Sequence, residues 1–393
     1  MVRTYRELFA VPEFRPLFWT SSVQVAAQTI SGLALATLIY DRTRSPLLSA
    51  LAMFGASFAQ VIGAATLLSM ADRMPPRATL TVLGLLFTAA ALGLAIPGVP
   101  VWGLLAITLA AGLASSAYGG AQWGLVSEIL PTDRYILGRS LFNMSVGVMQ
   151  ILGYAVGGAL VDLVSPRGAL LVAAALYLAS SAGTWLGLSP RRPRVAGRPS
   201  VRATLRVNHR LWSLPARRYA YLALWVPNGL IVGCEALFIP YAPRRASLLF
   251  IAAAAGMLAG DTVMGRLVPA HWRARLATPL RLLLAAPYLL FALRLPLPAA
   301  VAAVAVASVG YSASLLLQDR LLAVTPDEMH GQALGLHTSG MLTMQAVGAA
   351  LAGALAQWLP PADVMTVLAV ASVAVTLALT PGLSHHRSPL VST

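Results

Sequence analysis

The sequence contains no lysine and a single cysteine, Cys234, and its acidic residues are few, 13 Asp and Glu in 393 residues. One cysteine excludes an intramolecular disulfide and a Cys-rich metal site. No Gly-x-x-x-x-Gly-Lys-Ser/Thr loop is present, so ATP is not expected to drive the protein directly. His385 and His386 have no third ligand at metal-binding spacing, and we expect no metal and no other cofactor.

Apolar residues, in contrast, are abundant. Hydrophobic residues make up 58% of the chain and charged residues 10%, and the mean hydropathy is +0.74, which is too apolar for a soluble domain. A hydrocarbon core of about 30 Å requires roughly 20 apolar residues per helix. We find twelve such stretches: 17–39, 46–68, 78–97, 101–123, 141–162, 168–188, 219–241, 246–265, 278–293, 298–318, 332–357 and 362–381. The sequence therefore predicts an all-α integral membrane protein whose main solvent is the lipid bilayer.

Arginine supplies all 28 basic residues, which outnumber the 13 acidic residues and give a formal charge of +15. With an even number of spans, both termini lie on one side, and only six arginines fall on the other: Arg42, Arg44, Arg167, Arg244, Arg245 and Arg294. The positive-inside rule then places both termini in the cytoplasm. The charge excess is a topology signal and does not indicate nucleic-acid binding. Arginine without lysine suggests a GC-rich, bacterial genome, hence an inner-membrane location.

A polar, arginine-rich stretch divides the chain into two halves. We predict an N-terminal six-helix bundle over residues 1–190, a cytoplasmic basic linker over 191–217 and a C-terminal six-helix bundle over 218–393. Within the linker, Arg202, Arg206 and Arg210 recur every four residues. This spacing fits a short amphipathic helix on the inner membrane surface or, equally, a solvated basic loop.

The two halves resemble each other when the chain is shifted by 195 residues. The matched positions are Pro131 with Pro326, Met149 and Gln150 with Met344 and Gln345, Gly153 with Gly348, and Gly158 with Gly353. A duplicated six-helix unit gives such an offset, so we predict two pseudo-symmetric bundles. Small residues allow helices to approach closely, and we assign helix packing to Gly153, Gly157, Gly158, Gly348 and Gly353.

Short motifs identify a family. The loop Met70-Ala71-Asp72-Arg73-Met74-Pro75-Pro76-Arg77 resembles the Asp-Arg signature of the major facilitator superfamily, although Leu68 replaces its leading glycine. Gly265-Arg266-Leu267-Val268-Pro269 is similar to the second copy, and Gly153-Tyr154-Ala155-Val156-Gly157-Gly158 to the Gly-Pro-x-x-Gly-Gly antiporter motif. The resemblance covers the whole chain. It implies an exporter of drugs or natural products. Because a single chain contains both halves needed for transport, we expect it to function as a monomer.

The resemblance also implies a gating latch of charged residues where the chain leaves the membrane. Its members are Asp72, Arg73, Arg77 and Arg134. Ion pairs there would hold the cytoplasmic ends of the halves together and break as the halves rock. The alternative is a positive-inside anchor in which Asp72 caps a helix.

Glu235, well inside the seventh span, is the leading candidate for proton coupling. A carboxylate at membrane depth is costly to keep charged and usually marks function. The alternative is a hydrated residue near the outer mouth, paired with Arg244 or Arg245. Asp261 and His337 are weaker candidates. The fourth span lacks the arginine of well-studied drug/proton antiporters, so any proton route must differ from theirs.

Polar side chains in other spans are candidates for a substrate cavity. Gln24, Gln28 and Ser31 share a helix face in the first span, and further amides follow at Gln60, Gln122, Asn143, Gln150, Asn228, Gln318 and Gln345. Some of them are expected to form interhelical hydrogen bonds. A cavity lined by amides, Tyr, Trp and Met suits a neutral or amphipathic organic solute.

Together these features predict a secondary active transporter for proton-coupled efflux of a small amphipathic compound by alternating access. The alternative is a facilitator or importer of a nutrient or metabolite. An enzyme is disfavoured because the intramembrane acids are scattered singly. A signalling or scaffold protein is disfavoured because no soluble domain is appended.

Overall fold

The computed structural model describes residues 5–71, 74–191 and 201–384, and these ranges are helical with no β-strand. The α-helices are α1 (Tyr5–Leu8), α2 (Phe14–Thr43), α3 (Pro46–Ala71), α4 (Pro76–Ala95), α5 (Val101–Ile129), α6 (Thr132–Leu163), α7 (Pro166–Gly187), α8 (Val201–Ser213), α9 (Pro215–Ala236), α10 (Phe238–Tyr241), α11 (Ala246–Arg266), α12 (Ala270–Leu289), α13 (Leu297–Val309), α14 (Ala313–Ala323), α15 (His330–Leu355) and α16 (Pro361–Ser384). Short 3-10 turns follow α12 at Leu290–Leu293, join α13 to α14 at Gly310–Ser312 and precede α15 at Asp327–Met329.

In the described ranges, eleven helical segments are long and apolar enough to cross a membrane. The other long helix, α15, has 26 residues and carries polar side chains such as Gln332, His337 and Gln345, which lower its hydropathy. α9 continues into α10, and α13 into α14, to form single spans. The predicted all-α, twelve-span membrane fold is confirmed.

Proline marks where several of these helices begin. Five start at a proline, whose missing N–H is not needed in the first turn: Pro46, Pro76, Pro166, Pro215 and Pro361. At α7 the hydroxyl of Ser165 also accepts a hydrogen bond from the Gly168 N–H at 3.0 Å, as an N-cap residue does.

The two halves share one packing plan. We call α2–α7 the N half and α9–α16 the C half. The 195-residue offset places Pro166, the first residue of α7, on Pro361, the first residue of α16. Four helix pairs of the N half, α2 with α6, α2 with α7, α3 with α5 and α4 with α7, correspond to α9 with α15, α9 with α16, α11 with α13 and α12 with α16. The predicted pseudo-symmetric bundles are therefore present, while the domain and linker boundaries stay predictions.

Because the spans alternate in direction, Tyr5, α8 and Ser384 lie at one end of the molecule, which we call the terminal end. The opposite end, which we call the distal end, carries the turn after α12 and the loops that follow α2, α4, α6, α10 and α15. The halves contact each other mainly through α3 with α15 and α6 with α11. At the distal end the Gln357 amide donates to the Ser45 hydroxyl at 2.8 Å, so the halves are joined there.

Glycines allow the closest of these helix contacts. A Cβ at Gly353 would lie 2.7 Å from the Leu47 Cα across the two halves. Gly158 abuts Ser247, again across the halves, and Gly348 abuts the Gly229 carbonyl within the C half. Gly153 and Gly157 face Thr29 and Ile30 of α2.

The basic stretch before the C half contains helix α8. Its Leu211 is fully buried and packs with Tyr221 and Leu224 of α9. The Trp212 ring stacks on that of Trp225 with centroids 5.6 Å apart, while Arg210 is exposed. Of the two alternatives for this stretch, the structure thus has the helix, and Leu211 and Trp212 pack against α9.

Candidate functional site

The structure forms a cavity of about 330 Å³ between the two halves, which we call the acidic cavity. The N half contributes Phe54, Gln150 and Tyr154. The C half contributes two acids and three amides: Glu235, Asp261, Asn228, Gln318 and Gln345. Its described lining includes no arginine or histidine, so the cavity carries acidic groups without a compensating cation.

Glu235 lies where the seventh span is interrupted. α9 ends at Ala236, one residue further on, and α10 begins at Phe238. The Tyr311 hydroxyl, in the 3-10 turn that interrupts the tenth span, donates to Glu235 Oε1 at 2.9 Å. Two helix breaks therefore bring a carboxyl and a phenol together inside the C half.

The sequence left open whether Glu235 pairs with Arg244 or Arg245. Among the described residues no arginine forms an ion pair with Glu235, and both arginines line a separate cavity of about 470 Å³ near Tyr241 and Leu295. The Tyr241 hydroxyl there donates to the Leu295 carbonyl at 2.9 Å. The side chain that donates to Glu235 is thus Tyr311, and the arginine pairing of the alternative does not form.

Other lining groups close or order the acidic cavity. The rings of Tyr154 and Phe250, one from each half, stack with centroids 4.8 Å apart on its distal side. The Gln345 amide of α15 donates to Asn228 Oδ1 of α9 at 3.0 Å. The aromatic stack joins the two halves and must change if they rock, whereas the amide hydrogen bond joins two helices of the C half.

A second cavity, of about 410 Å³, lies in the N half and is called here the glutamine cavity. Glutamines from three helices line it: Gln24, Gln28, Gln60 and Gln122. Ser21 and Ser31 add hydroxyls, and no acidic or basic residue is in its lining. The two cavities thus differ in charge.

Two of the candidates from the sequence lie outside both cavities. Asn143 is exposed on α6 and His337 is 4% exposed on α15, and neither lines either cavity. The His337 carbonyl accepts from Trp225 Nε1 at 3.0 Å. Asp72 and Arg73 fall outside the described residues, so the latch stays a prediction.

The other two latch residues have partners in their own half. The Arg77 guanidinium lies 4.1 Å from the ring centroid of Trp185 on α7. Arg134 forms a 3.8 Å ion pair with Glu7 of α1. Among the described residues, both of these partners precede the C half in the chain.

A cluster of ion pairs lies at the terminal end of the N half. Arg191 lies 2.5 Å from Glu13 and 3.9 Å from Glu128, and Ser189 donates to Glu13. Burial raises the pKa of the Glu13 carboxyl, but the hydrogen bonds of Ser189 and the charge of Arg191 outweigh burial and lower it. This cluster fastens the start of α2 to the residues that follow α7.

Sequence reasoning missed Arg281, which it assigned to the cytoplasmic side. The residue lies inside α12, is 2% exposed and donates through Nη2 to the Thr376 carbonyl at 3.2 Å. Its Nε and Nη1 have no hydrogen-bond partner among the described residues. The signal that could have found it is its position inside the predicted span 278–293, directly before the apolar run from Leu282 to Leu293.

Comparisons with known proteins agree with this architecture. A family model described as Major Facilitator Superfamily matches residues 17–315, more than half of the chain. A solved POT family transporter in complex with a thioalcohol-conjugated peptide is similar over 94% of this chain and 96% of its own, with a TM-score of 0.77 and 13% identity. Another, in complex with 5-aminolevulinic acid, has a TM-score of 0.76 with the same identity and coverage.

A search of curated proteins found no match. The identity to the solved structures is low, so these show the shared fold, and the family model carries the assignment. The chain belongs to the Major Facilitator Superfamily of membrane transporters.

Proposed function

We propose that this chain is a proton-coupled secondary transporter that takes up a small polar metabolite by alternating access, with Glu235 as the coupling carboxyl. The observation that carries the proposal is a carboxyl bonded to Tyr311 in a cavity built by both halves. A group there can change its access from one membrane face to the other when the halves rock.

Energetics are compatible with this coupling. One proton crossing the membrane supplies about 2.3 kcal/mol per 100 mV and about 1.4 kcal/mol per pH unit. At about 100 mV and one pH unit this supports a several-hundred-fold gradient of a neutral solute. Proton flux is therefore sufficient as the only energy source.

The solute class follows from the cavity and from the structural neighbours. Acids and amides without a basic residue favour an amino-bearing, polar solute over an anion. The two neighbours are bound to a peptide conjugate and to 5-aminolevulinic acid, which are small polar molecules. These findings support import of a nutrient or metabolite, the alternative that the sequence left open, more than drug efflux. We orient the terminal end toward the cytoplasm, by the positive-inside rule, and place the protein in the inner membrane as a functional monomer.

Export remains a second candidate because Gly153–Gly158 resembles the antiporter motif, and in the structure Gly158 abuts Ser247 of the other half. One assay separates the two directions of coupling. Alanyl-alanine or 5-aminolevulinic acid is added outside proteoliposomes that contain a trapped pH dye. Symport acidifies the lumen because protons enter with the solute, whereas antiport makes it alkaline.

We expect acidification with the native chain and none with Glu235→Gln. Asp162→Asn, which changes an exposed acid on α6, serves as the matched control and should behave like the native chain. Solute entry without any pH change would contradict proton coupling and indicate a facilitator. Acidification that survives Glu235→Gln would move the coupling site away from Glu235.

A further inference from the structure

The glutamine cavity has unused hydrogen-bonding capacity. Gln24 is 7% exposed and Ser21 is 3% exposed, yet Gln24 Oε1 and the Ser21 hydroxyl have no partner among the described residues. Leaving a buried polar atom unpaired is costly, and such atoms in native proteins usually meet water or a ligand. Both side chains line the same cavity, which indicates a place for a polar ligand.

The amides converge on this space from three helices. Gln24 and Gln28 lie one turn apart on α2, Gln60 is on α3 and Gln122 is on α5. Each carboxamide offers two donor hydrogens and an acceptor oxygen. A ligand that only donates or only accepts would leave half of this capacity unused.

Charge restricts the ligand further. A charged group in the glutamine cavity would be removed from water without a counterion, because the lining contains no acidic or basic residue. Aromatic rings form part of the wall: the ring centroid of Phe87 lies 5.9 Å from that of Tyr118 and 5.7 Å from that of Tyr177. The site thus suits an uncharged polar group on an apolar carbon frame.

The two cavities are close enough for a single solute. Val146 lines the glutamine cavity and Gln150 lines the acidic cavity. These residues are one turn apart on α6, about 6 Å along the helix axis. On α3, the neighbouring residues Met53 and Phe54 likewise line one cavity each.

We propose that the glutamine cavity is a second subsite for the transported solute, and that it binds an uncharged carboxamide or hydroxyl group. The inference rests on the proposed function, since it assigns the part of the solute that Glu235 does not contact. One end of the transported molecule is accordingly an uncharged group that forms hydrogen bonds in the glutamine cavity. The other end lies in the acidic cavity and carries a group that can pair with a carboxyl.

Two uncharged probes test this subsite by calorimetric titration of the full chain in lipid nanodiscs. N-acetylglycinamide represents the carboxamide and myo-inositol the hydroxyl. We expect saturable binding of at least one, and the probe that binds identifies the group. Gln24→Leu should weaken its Kd about fivefold, the effect of one lost hydrogen bond.

Gly119→Leu provides a second variant that does not depend on a buried polar side chain. Gly119 lines the glutamine cavity, and a Cβ there meets no atom within 4 Å, so a leucine at this position has room to extend into the cavity. We expect it to abolish binding. Gly335→Leu is the matched control, since Gly335 is equally open but lines neither cavity, and it should leave the Kd unchanged.

Either of two results would overturn the proposal: no saturable binding of either probe, or binding that neither Gln24→Leu nor Gly119→Leu changes. The titration uses no proton gradient, whereas the proposed function is tested by lumen pH and Glu235→Gln. The two ideas can therefore fail separately.

Discussion

The N half and the C half use the same helix pairs but differ in chemistry. The N half encloses an uncharged, glutamine-lined cavity, and the C half supplies the acids of the acidic cavity. Equivalent positions in the two halves also differ in residue type and burial. Leu86 on α4 is 42% exposed on the bundle surface, whereas Arg281, 195 residues later, is buried. Duplication thus preserved the helix contacts, and single side chains gave each half its own role.

The largest expected effect comes from Tyr311→Phe compared with Tyr118→Phe. Each variant removes one buried tyrosine hydroxyl, but only Tyr311 donates to Glu235. Hydrogen bonds to a charged group contribute about 1.5 to 3 kcal/mol. We therefore expect proton-driven uptake to fall at least about tenfold for Tyr311→Phe and within about threefold for Tyr118→Phe, as measured by initial rates in proteoliposomes. Equal losses would show that the two cavities share the coupling task.

The next prediction concerns the glycines that the offset matches. Gly348 abuts the backbone of Gly229, so a Cβ there must separate α15 from α9. We expect Gly348→Ala to destabilise the fold by about 3 kcal/mol. Its N-half counterpart Gly153 meets a Thr29 side chain at 2.8 Å, so Gly153→Ala should cost less.

Thermal unfolding in detergent measures both glycine variants. Gly335→Ala, in open space on the same helix as Gly348, controls for helix propensity and should be neutral or slightly stabilising. A neutral Gly348→Ala would mean that α9 and α15 are not as closely packed as their backbones indicate.

Arg281→Met tests why the C half retains a buried cation. Removing a charge with two unpaired donors should stabilise the fold by about 1 to 3 kcal/mol. Leu86→Met, at the equivalent exposed position, should be neutral. Greater thermal stability together with lost uptake would indicate that Arg281 serves transport, whereas lower stability would contradict the absence of a compensating partner.

The smallest effect is expected at the terminal end of the N half. The pKa of Glu13 is lower in the folded state than its ordinary value of 4.5. The ionised carboxyl therefore stabilises the fold fully at pH values above 4.5, and this contribution is lost as pH falls through the folded-state pKa. Glu13→Gln should cost under about 1 kcal/mol at neutral pH.

The cost of Glu13→Gln should be smaller at a pH below the lowered folded-state pKa, where the native carboxyl is protonated as well, than at neutral pH. Thermal unfolding at both pH values measures it. The aromatic stack of Trp212 with Trp225 at the same end of the C half carries no charge, so Trp212→Leu should destabilise equally at both pH values.

Parts of the candidate site were accessible from the sequence. Glu235 stood out because acids are rare inside spans, and the helical spacing of Gln24 and Gln28 predicted that they face one cavity, as they do. Asn143 and His337 have the same polar character and line neither cavity. Composition and periodicity cannot make this distinction, because it depends on how each helix is rotated relative to its neighbours.

The sequence by itself determined that the chain crosses the membrane as twelve helices in two related halves. It could do so because the bilayer requires long apolar runs, and these can be read one segment at a time. Only the tertiary structure decided that Tyr311, and not an arginine, contacts Glu235, that Arg281 is buried, and that acids and glutamines occupy separate cavities. These facts join residues that are distant in the chain, and helix packing alone brings them together.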